Sequence, residues 1–482
     1  MLAAPRHAAA WSGESGGTQN CVMEGAPARV PNEAAQADAA REERAARLAA
    51  GLPGGDAPAN PSDDLYVRMD DAPEEDEDEE YISENDDGIV FLEDGPDDAA
   101  PPDDDGSDGD MMEEEEEEEE EEGDGEAAMG GAEELSDMAV FTFSEHKDPV
   151  YSVATSPVQA DGMPALIASG AGDDLAYLWS NDPQVPPRKL EGHADSVSSC
   201  SFSDDGKYVA TCGLEGVVKI WDVSTASHVA DLEGPGDSVD WGCWHPKGPV
   251  FLAGSSDSTV WMWNAPKAAC MMVFSGHADA VTCGGFTPDG KKVYTGSADC
   301  TVKLWNPKTG AATTTFGKGD QGETFQSAVT SVSAAKGAPM LLSGAVDGKL
   351  LLLHRQTGKV VGRLEHHKDS VETVAFAHDP AMGASGSMDN DVAIWDLNTL
   401  RLRVTCRHDE GVNHILWHPS EPQLFLTGSI DGIVRLWDCR TGEEVRKWTG
   451  HRDCCLSLAL TADGKHVVTG SDDATAKMFS LV

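Results

Sequence analysis

The sequence predicts an all-β fold: an eight-bladed β-propeller of residues 138–482 behind a disordered acidic tail of residues 1–137. Three observations predict it. A motif of the form Asp-Gly-x-Val-x-Leu-Trp recurs, its first acid at Asp173, Glu215, Asp257, Asp299, Asp347, Asp389, Asp431 and Asp473, spaced by 42 residues except for one interval of 48. Apolar and polar residues alternate at period two within each unit, and turn sequences such as Asp204-Asp205-Gly206-Lys207 and Pro288-Asp289-Gly290-Lys291 separate the strands. The formal charge of −52 is uneven: residues 1–137 hold 45 of the 86 Asp and Glu but only 6 of the 34 Lys and Arg.

The tail begins Ala-rich and reaches ten consecutive glutamates at 113–122. So little apolar surface cannot offset the entropy of ordering a chain. Leu65-Tyr66-Val67 and Ile89-Val90-Phe91-Leu92 are apolar islands, either docking motifs or incidental clusters. A Gly-x-Ser-x-Gly at 13–17 lacks the preceding strand and following helix that a hydrolase elbow requires.

Six residues after each acid stands Trp179, Trp221, Trp263, Trp305, Leu353, Trp395, Trp437 or Phe479, and His146, His193, His277, His367, His408 and His451 precede six of the units. This is the WD-repeat signature, in which four short strands make one blade and radial repetition leaves only short edges. The last unit reaches only its third strand, so residues 138–144, an unassigned strand before the first blade, are predicted to complete it and close the ring.

In such repeats the His, a Ser or Thr, the acid and the Trp form one hydrogen-bonded set. His277, Thr295, Asp299 and Trp305 make one set, and His367, Ser385, Asp389 and Trp395 another. A His beside an Asp and a Ser invites a catalytic reading, but repetition around a ring marks the set as structural. No phosphate-loop, zinc-protease or dinucleotide motif occurs in the folded part, so the chain is expected to be a non-enzyme with no cofactor and no metal site. The cysteines form no C-x-x-C pair, and the adjacent Cys454 and Cys455 are read as packing residues in a reducing compartment. No apolar run of membrane-spanning length of about 18 residues occurs. The acidic balance disfavours direct nucleic-acid contact and anionic membranes, both of which need clustered Lys and Arg.

The His loops and the turns carrying the repeat acid open on the same, narrower face. Just before the acid stand Leu214, Val346, Met388 and Ile430, whose apolar character around a central opening predicts a protein partner. Two residues after the His position stand Asp148, Asp195, Asp237, Asp279, Asp369, Glu410 and Asp453. Three residues further lie Asp240 and Glu372, expected to point toward the axis, and Glu215 replaces the usual Asp. Lys147, Lys368 and Arg452 are the fewer bases nearby, so the face should attract a basic peptide. The six extra residues of the fifth unit fall in 317–326, where Asp320, Glu323 and Phe325 either fold over a ligand or belong to a plain insertion.

The stretch 244–263, from Trp244-His245-Pro246 to Trp261-Met262-Trp263, resembles blade three of the angio-associated migratory cell protein family, and 429–442 is similar to that family too. The resemblance covers essentially all of 138–482, although Leu353 and His354 replace the usual Trp-Asp. The family's fungal member is a dedicated chaperone for a newly made large-subunit ribosomal protein, L-ten or uL-sixteen, and holds its basic N-terminal segment on an acidic propeller face. The resemblance therefore implies ribosome-assembly work, with Asp240 and Glu372 as client-binding acids by matching position. Glu215 and the apolar centre of Leu214, Val346, Met388 and Ile430 come from the residues alone. Competing readings are a substrate receptor of a cullin-type ubiquitin ligase, from the single Trp437-Asp438-Cys439-Arg440, a histone chaperone, from the polyglutamate run, and a signalling or migration scaffold. The expected state is a monomer in the cytoplasm, which the lack of a clear basic import signal favours, with nuclear entry left open.

Overall fold

The computed structural model describes residues 136–158, 165–317 and 325–482. The expectations for residues 1–135, including both apolar islands, and for Asp320 and Glu323 lie outside the described residues. The described chain forms eight four-stranded antiparallel sheets. Blade one consists of Val150–Thr155, Leu166–Ala171, Ala176–Ser180 and Arg188–Leu190, paired in sequence order, and six further blades repeat this meander. The first strand of each blade packs against the first strands of both neighbours, so these eight strands form the innermost ring. The one helical element among the described residues is a 3-10 turn, Ala265–Lys267.

The eighth blade is built from both ends of the described chain. Cys455–Leu460, His466–Ser471 and Ala476–Ser480 supply three strands, and Phe141–Phe143 supplies the outermost. Phe141 lies opposite Met478 and Phe143 opposite Ala476. The Phe143 ring stacks on Trp179 of blade one, with centroids 4.8 Å apart and planes 2° from parallel. One apolar cluster thus unites Phe143, Met478 and Val468 with Val153 and Trp179, and the strand that completes the last blade also joins it to the first. Contact with the ring begins slightly earlier than 138. The Thr449 hydroxyl donates to the Ser136 carbonyl at 2.7 Å, and Lys477 Nζ, nearly buried, lies 2.5 Å from Asp137 Oδ2.

Blade-to-blade packing explains a recurring glycine. The second strand of each blade is buried from its second residue onward, as in Met340–Ala345. A Cβ on Gly344 would lie 2.6 Å from Val371 Cγ1 of the next blade, closer than carbon atoms approach. Glycine there lets the next blade's Val371 and Val374 side chains pack directly on this strand's backbone.

Phe143→Ala should remove about 3–5 kcal/mol of stability, because the ring is buried and its site cannot collapse without opening the first-to-last seam. Phe141→Ala, at a half-buried position, should cost less. Chemical denaturation of the two variants checks this; equal, small losses would show that the strand does not hold the ring closed.

Candidate functional site

The face bearing the His loops rests on the repeated polar set. His367 Nε2 is 2.8 Å from Ser385 Oγ, His367 Nδ1 is 3.1 Å from both Asp389 oxygens, and the Trp395 indole N–H donates to Ser385 Oγ at 2.8 Å. His277, Thr295, Asp299 and Trp305 repeat this at 2.7–3.0 Å. A neutral imidazole protonated on Nδ1 satisfies every partner, since the hydroxyl accepts from the indole and donates to Nε2. Burial pushes the His277 and His367 pKa values down despite the adjacent carboxylates. Burial works to raise Asp299, but the Thr301 hydroxyl, the Ala278 N–H and His277 overcome it and hold the carboxyl at about 2. The Ser385 and Thr295 hydroxyls are fully buried, so no substrate reaches them.

The set varies by blade. Glu215, expected among the partner-binding acids, is instead spent on it: Oε1 lies 2.6 Å from His193 Nδ1, and Oε2 is buried against the Gly213 backbone with no hydrogen-bond partner. In blade seven, Arg435 takes Asp431 at 2.7 Å, and His408 turns its Nδ1 to the Cys406 carbonyl. Blade five replaces the His and Trp of the set with apolar residues, while the Ser343 hydroxyl donates to the Leu351 carbonyl at 3.3 Å. Phe325, expected as a candidate to cover a ligand, occupies the His position and is 4% exposed, in the same cluster as Leu353.

Each innermost strand carries a β-bulge at its start, centred on Tyr151, Ser198, Asp240, Thr282, Thr330, Glu372, Asn413 and Leu456. A bulge re-aims one side chain out of the ladder. Ser198 Oγ donates to the Val239 carbonyl at 2.6 Å, Thr282 Oγ1 to Val329 at 2.5 Å and Asn413 Nδ2 to Cys455 at 2.7 Å. Thr330 Oγ1 donates likewise to Val371. Each of these bonds links a blade to the next. Asp240 and Glu372 cannot donate. In blade three the Trp241 indole makes the link instead, to the Val281 carbonyl at 2.8 Å, while Asp240 accepts from the Ser238 and Ser256 hydroxyls at 3.0 and 2.7 Å. Glu372, half-buried, has no hydrogen bond or ion pair among the described residues.

The apolar positions divide. Met388 and Ile430 meet around Gly411, where an added Cβ would lie 2.7 Å from Met388 Sδ and 3.1 Å from Ile430 Cδ1. The Met388 N–H donates to the Ser370 carbonyl, two residues before Glu372, so acid and apolar pair share the seam of blades six and seven. Leu214, half-buried, and Val346, 41% exposed, stand on separate blades. Asp195, Asp237, Asp279, Asp369 and Asp453 each cap the next N–H at 2.7–2.8 Å yet remain exposed. Sequence reasoning missed Ser238, Ser256 and Gly411. Alignment of the units on their bulges is the signal that finds them.

Among the described residues, no group of three His, Cys, Asp or Glu could hold a metal ion. Cys455 is buried and Cys454 half-buried, and burial pushes the Cys454 thiol up to about 12. Arg440 folds back on Asp438 in a two-pronged contact at 2.7 and 3.1 Å on the opposite face.

The family model described as WD domain, G-beta repeat matches residues 138–180, 184–222, 226–264, 268–306, 358–396, 400–438 and 442–480, omitting the divergent fifth blade. Ribosome assembly protein SQT1 of Saccharomyces cerevisiae is 33% identical over 90 residues, 18% of this chain and 20% of that protein. Human angio-associated migratory cell protein is 36% identical over 104 residues, 22% of this chain and 23% of that protein. The chain thus spans about a fifth of the length of the relatives it matches. The crystal structure of Chaetomium thermophilum Sqt1 bound to the N-terminus of ribosomal protein L-ten shares the fold, with a TM-score of 0.66 at 22% identity over 72% of this chain and 100% of that one.

Burial depresses His146, His277 and His367 below the ordinary 6.5, and His408 and His414 to about 4. The unfolded chain therefore binds more protons than the folded one. Stability should be complete above pH 6.5 and fall as the pH drops toward about 4. Melting between pH 7.5 and 5 should show a falling midpoint; a flat or rising one would contradict this account.

Proposed function

This chain belongs to the WD40 family of WD-domain, G-beta repeat proteins, and we propose that it is a non-catalytic chaperone that holds the basic N-terminal segment of a newly made large-subunit ribosomal protein, L-ten or uL-sixteen, for ribosome assembly. The observation that carries this is Glu372: a half-buried carboxylate on a bulge where four other blades place donors that bond their neighbours, without a partner among the described residues, on the same blade seam as Met388 and Ile430. A basic side chain from a client supplies the missing partner, and its aliphatic stem suits the adjacent apolar pair. The exposed aspartates around the same face add a long-range field that speeds capture. The likeness to SQT1, and to Sqt1 bound to the ribosomal protein's N-terminus, supports this choice of client.

A ribosomal protein's basic segment binds RNA nonspecifically through its charge. Seating it on an acidic face masks that charge until rRNA competes the chaperone away. The ligase-receptor reading has less support, because Arg440 is engaged by Asp438 in its own turn.

Glu372→Gln should not lower the melting temperature, since no internal partner is lost and an amide at a bulge can donate to the next blade as Asn413 does. It should weaken binding of the basic peptide by at least ~10-fold, the effect of losing one partner of a desolvated charge pair. Calorimetric titration of the full chain at low and physiological salt checks this. Undiminished binding would remove Glu372 from the site, and no binding by the parent chain would end the chaperone reading.

A further inference from the structure

The two faces of the ring differ in charge. Away from the His loops, each blade presents an inner turn, joining its first two strands, and an outer turn, joining its last two. In blades three to five the inner turns carry Lys247, Lys291, Lys292 and Lys336, and the outer turns carry Lys267, Lys308 and Arg355. The one acid in these six turns is Asp289, and its own turn uses it: Oδ1 accepts from the Thr287 hydroxyl at 2.5 Å and the Lys291 N–H at 3.1 Å.

Other blades answer their bases locally. Lys207 pairs with Asp205 at 2.8 Å, Arg440 with Asp438 at 2.7 Å and Lys465 with Asp463 at 3.7 Å. Among the described residues, Lys247, Lys291, Lys308 and Lys336 are exposed and have no ion-pair partner. Arg355 Nη1 is buried without a hydrogen bond. The sector is continuous. His245 Nε2 reaches the Gly290 carbonyl of blade four at 3.2 Å, and a Cβ on Gly358 would lie 3.1 Å from Thr314 Cγ2 of blade four.

We infer that this sector, the turns of blades three to five on the face opposite the acidic one, binds the phosphate backbone of RNA. The six turns hold no large apolar side chain to anchor an acidic peptide. A backbone with one negative charge per nucleotide needs only gathered ammonium groups, and it gains affinity by releasing counterions. The overall acidity opposes such contact only for a uniform surface. Folding collects from three repeats the lysines that the sequence scatters, and the acidic face repels the same polyanion, fixing which side it meets. The inference stands apart from the client-binding reading and uses no residue of that site.

The test is fluorescence anisotropy of a labelled twenty-nucleotide single-stranded RNA with the full chain, from low to physiological salt. The parent should bind at low salt and weaken as salt rises. Lys247→Glu/Lys291→Glu/Lys336→Glu should lose at least ~10-fold, with the slope of log affinity against log salt reduced by about 2 for three lost contacts. Lys207→Glu/Lys465→Glu, in the paired turns, should change nothing. Unaltered melting and unaltered basic-peptide binding in the triple variant would show that fold and opposite face are intact. Absent RNA binding at low salt, or equal affinity in parent and triple variant, would overturn the inference. Displacement by polyglutamate of equal charge as readily as by unlabelled RNA would overturn it in favour of an acidic protein partner.

Discussion

The bulge at the start of each innermost strand is the constraint on which the site depends. Eight inner strands must pack side by side, and each bulge turns one side chain out of its ladder toward that ring. The chemistry of that side chain decides its use. A hydroxyl or amide donates to the next blade's carbonyl and becomes part of the frame, as Ser198 and Asn413 do. A carboxylate cannot donate and is released from that duty. For Asp240 the neighbouring Trp241 restores the link. For Glu372 the seam is held from its far end, where His378 Nε2 lies 2.8 Å from the His418 carbonyl. Glu372 therefore costs the frame one inner bond, and among the described residues its carboxylate accepts no hydrogen bond.

The frame tolerates this because the rest of it is repeated. Where a blade gives up its polar set, it gives up several members together. Phe325 and Leu353 replace both the His and the Trp of blade five, and the buried Ser343 hydroxyl they leave turns to the Leu351 carbonyl. Blade three has Pro235 at the His position, and Trp261 fills the space beside Gly234 while stacking on Trp263 at 5.9 Å. Partial sets would leave a buried polar group unsatisfied, which costs more than removing the pair.

The fold was legible because its information is periodic. The repeated acid, the aromatic six residues later and the alternation within units define the blades without reference to packing. The polar set was legible for the same reason. Glu215 was not, because spacing does not say whether a longer carboxylate still reaches its His. Phe325 carried a usable signal: the offset of 48 that aligns Leu353 with Trp305 also aligns Phe325 with His277. The extra residue between His408 and Asp431 likewise foreshadows the capture of Asp431 by Arg435. The bulges leave no mark in composition, so the joint seam of Glu372, Met388, Gly411 and Ile430 became visible only when strands from two blades were placed together.

The most direct test of the central claim is where a client touches the ring. A basic N-terminal ribosomal-protein peptide carrying a photo-crosslinking group would be bound to the full chain and irradiated, and the labelled residues mapped by mass spectrometry. Labels are expected on the turns bearing Met388 and Ile430 and on the inner strand of Glu372. Labels confined to the opposite face, or to residues 1–135, would contradict it.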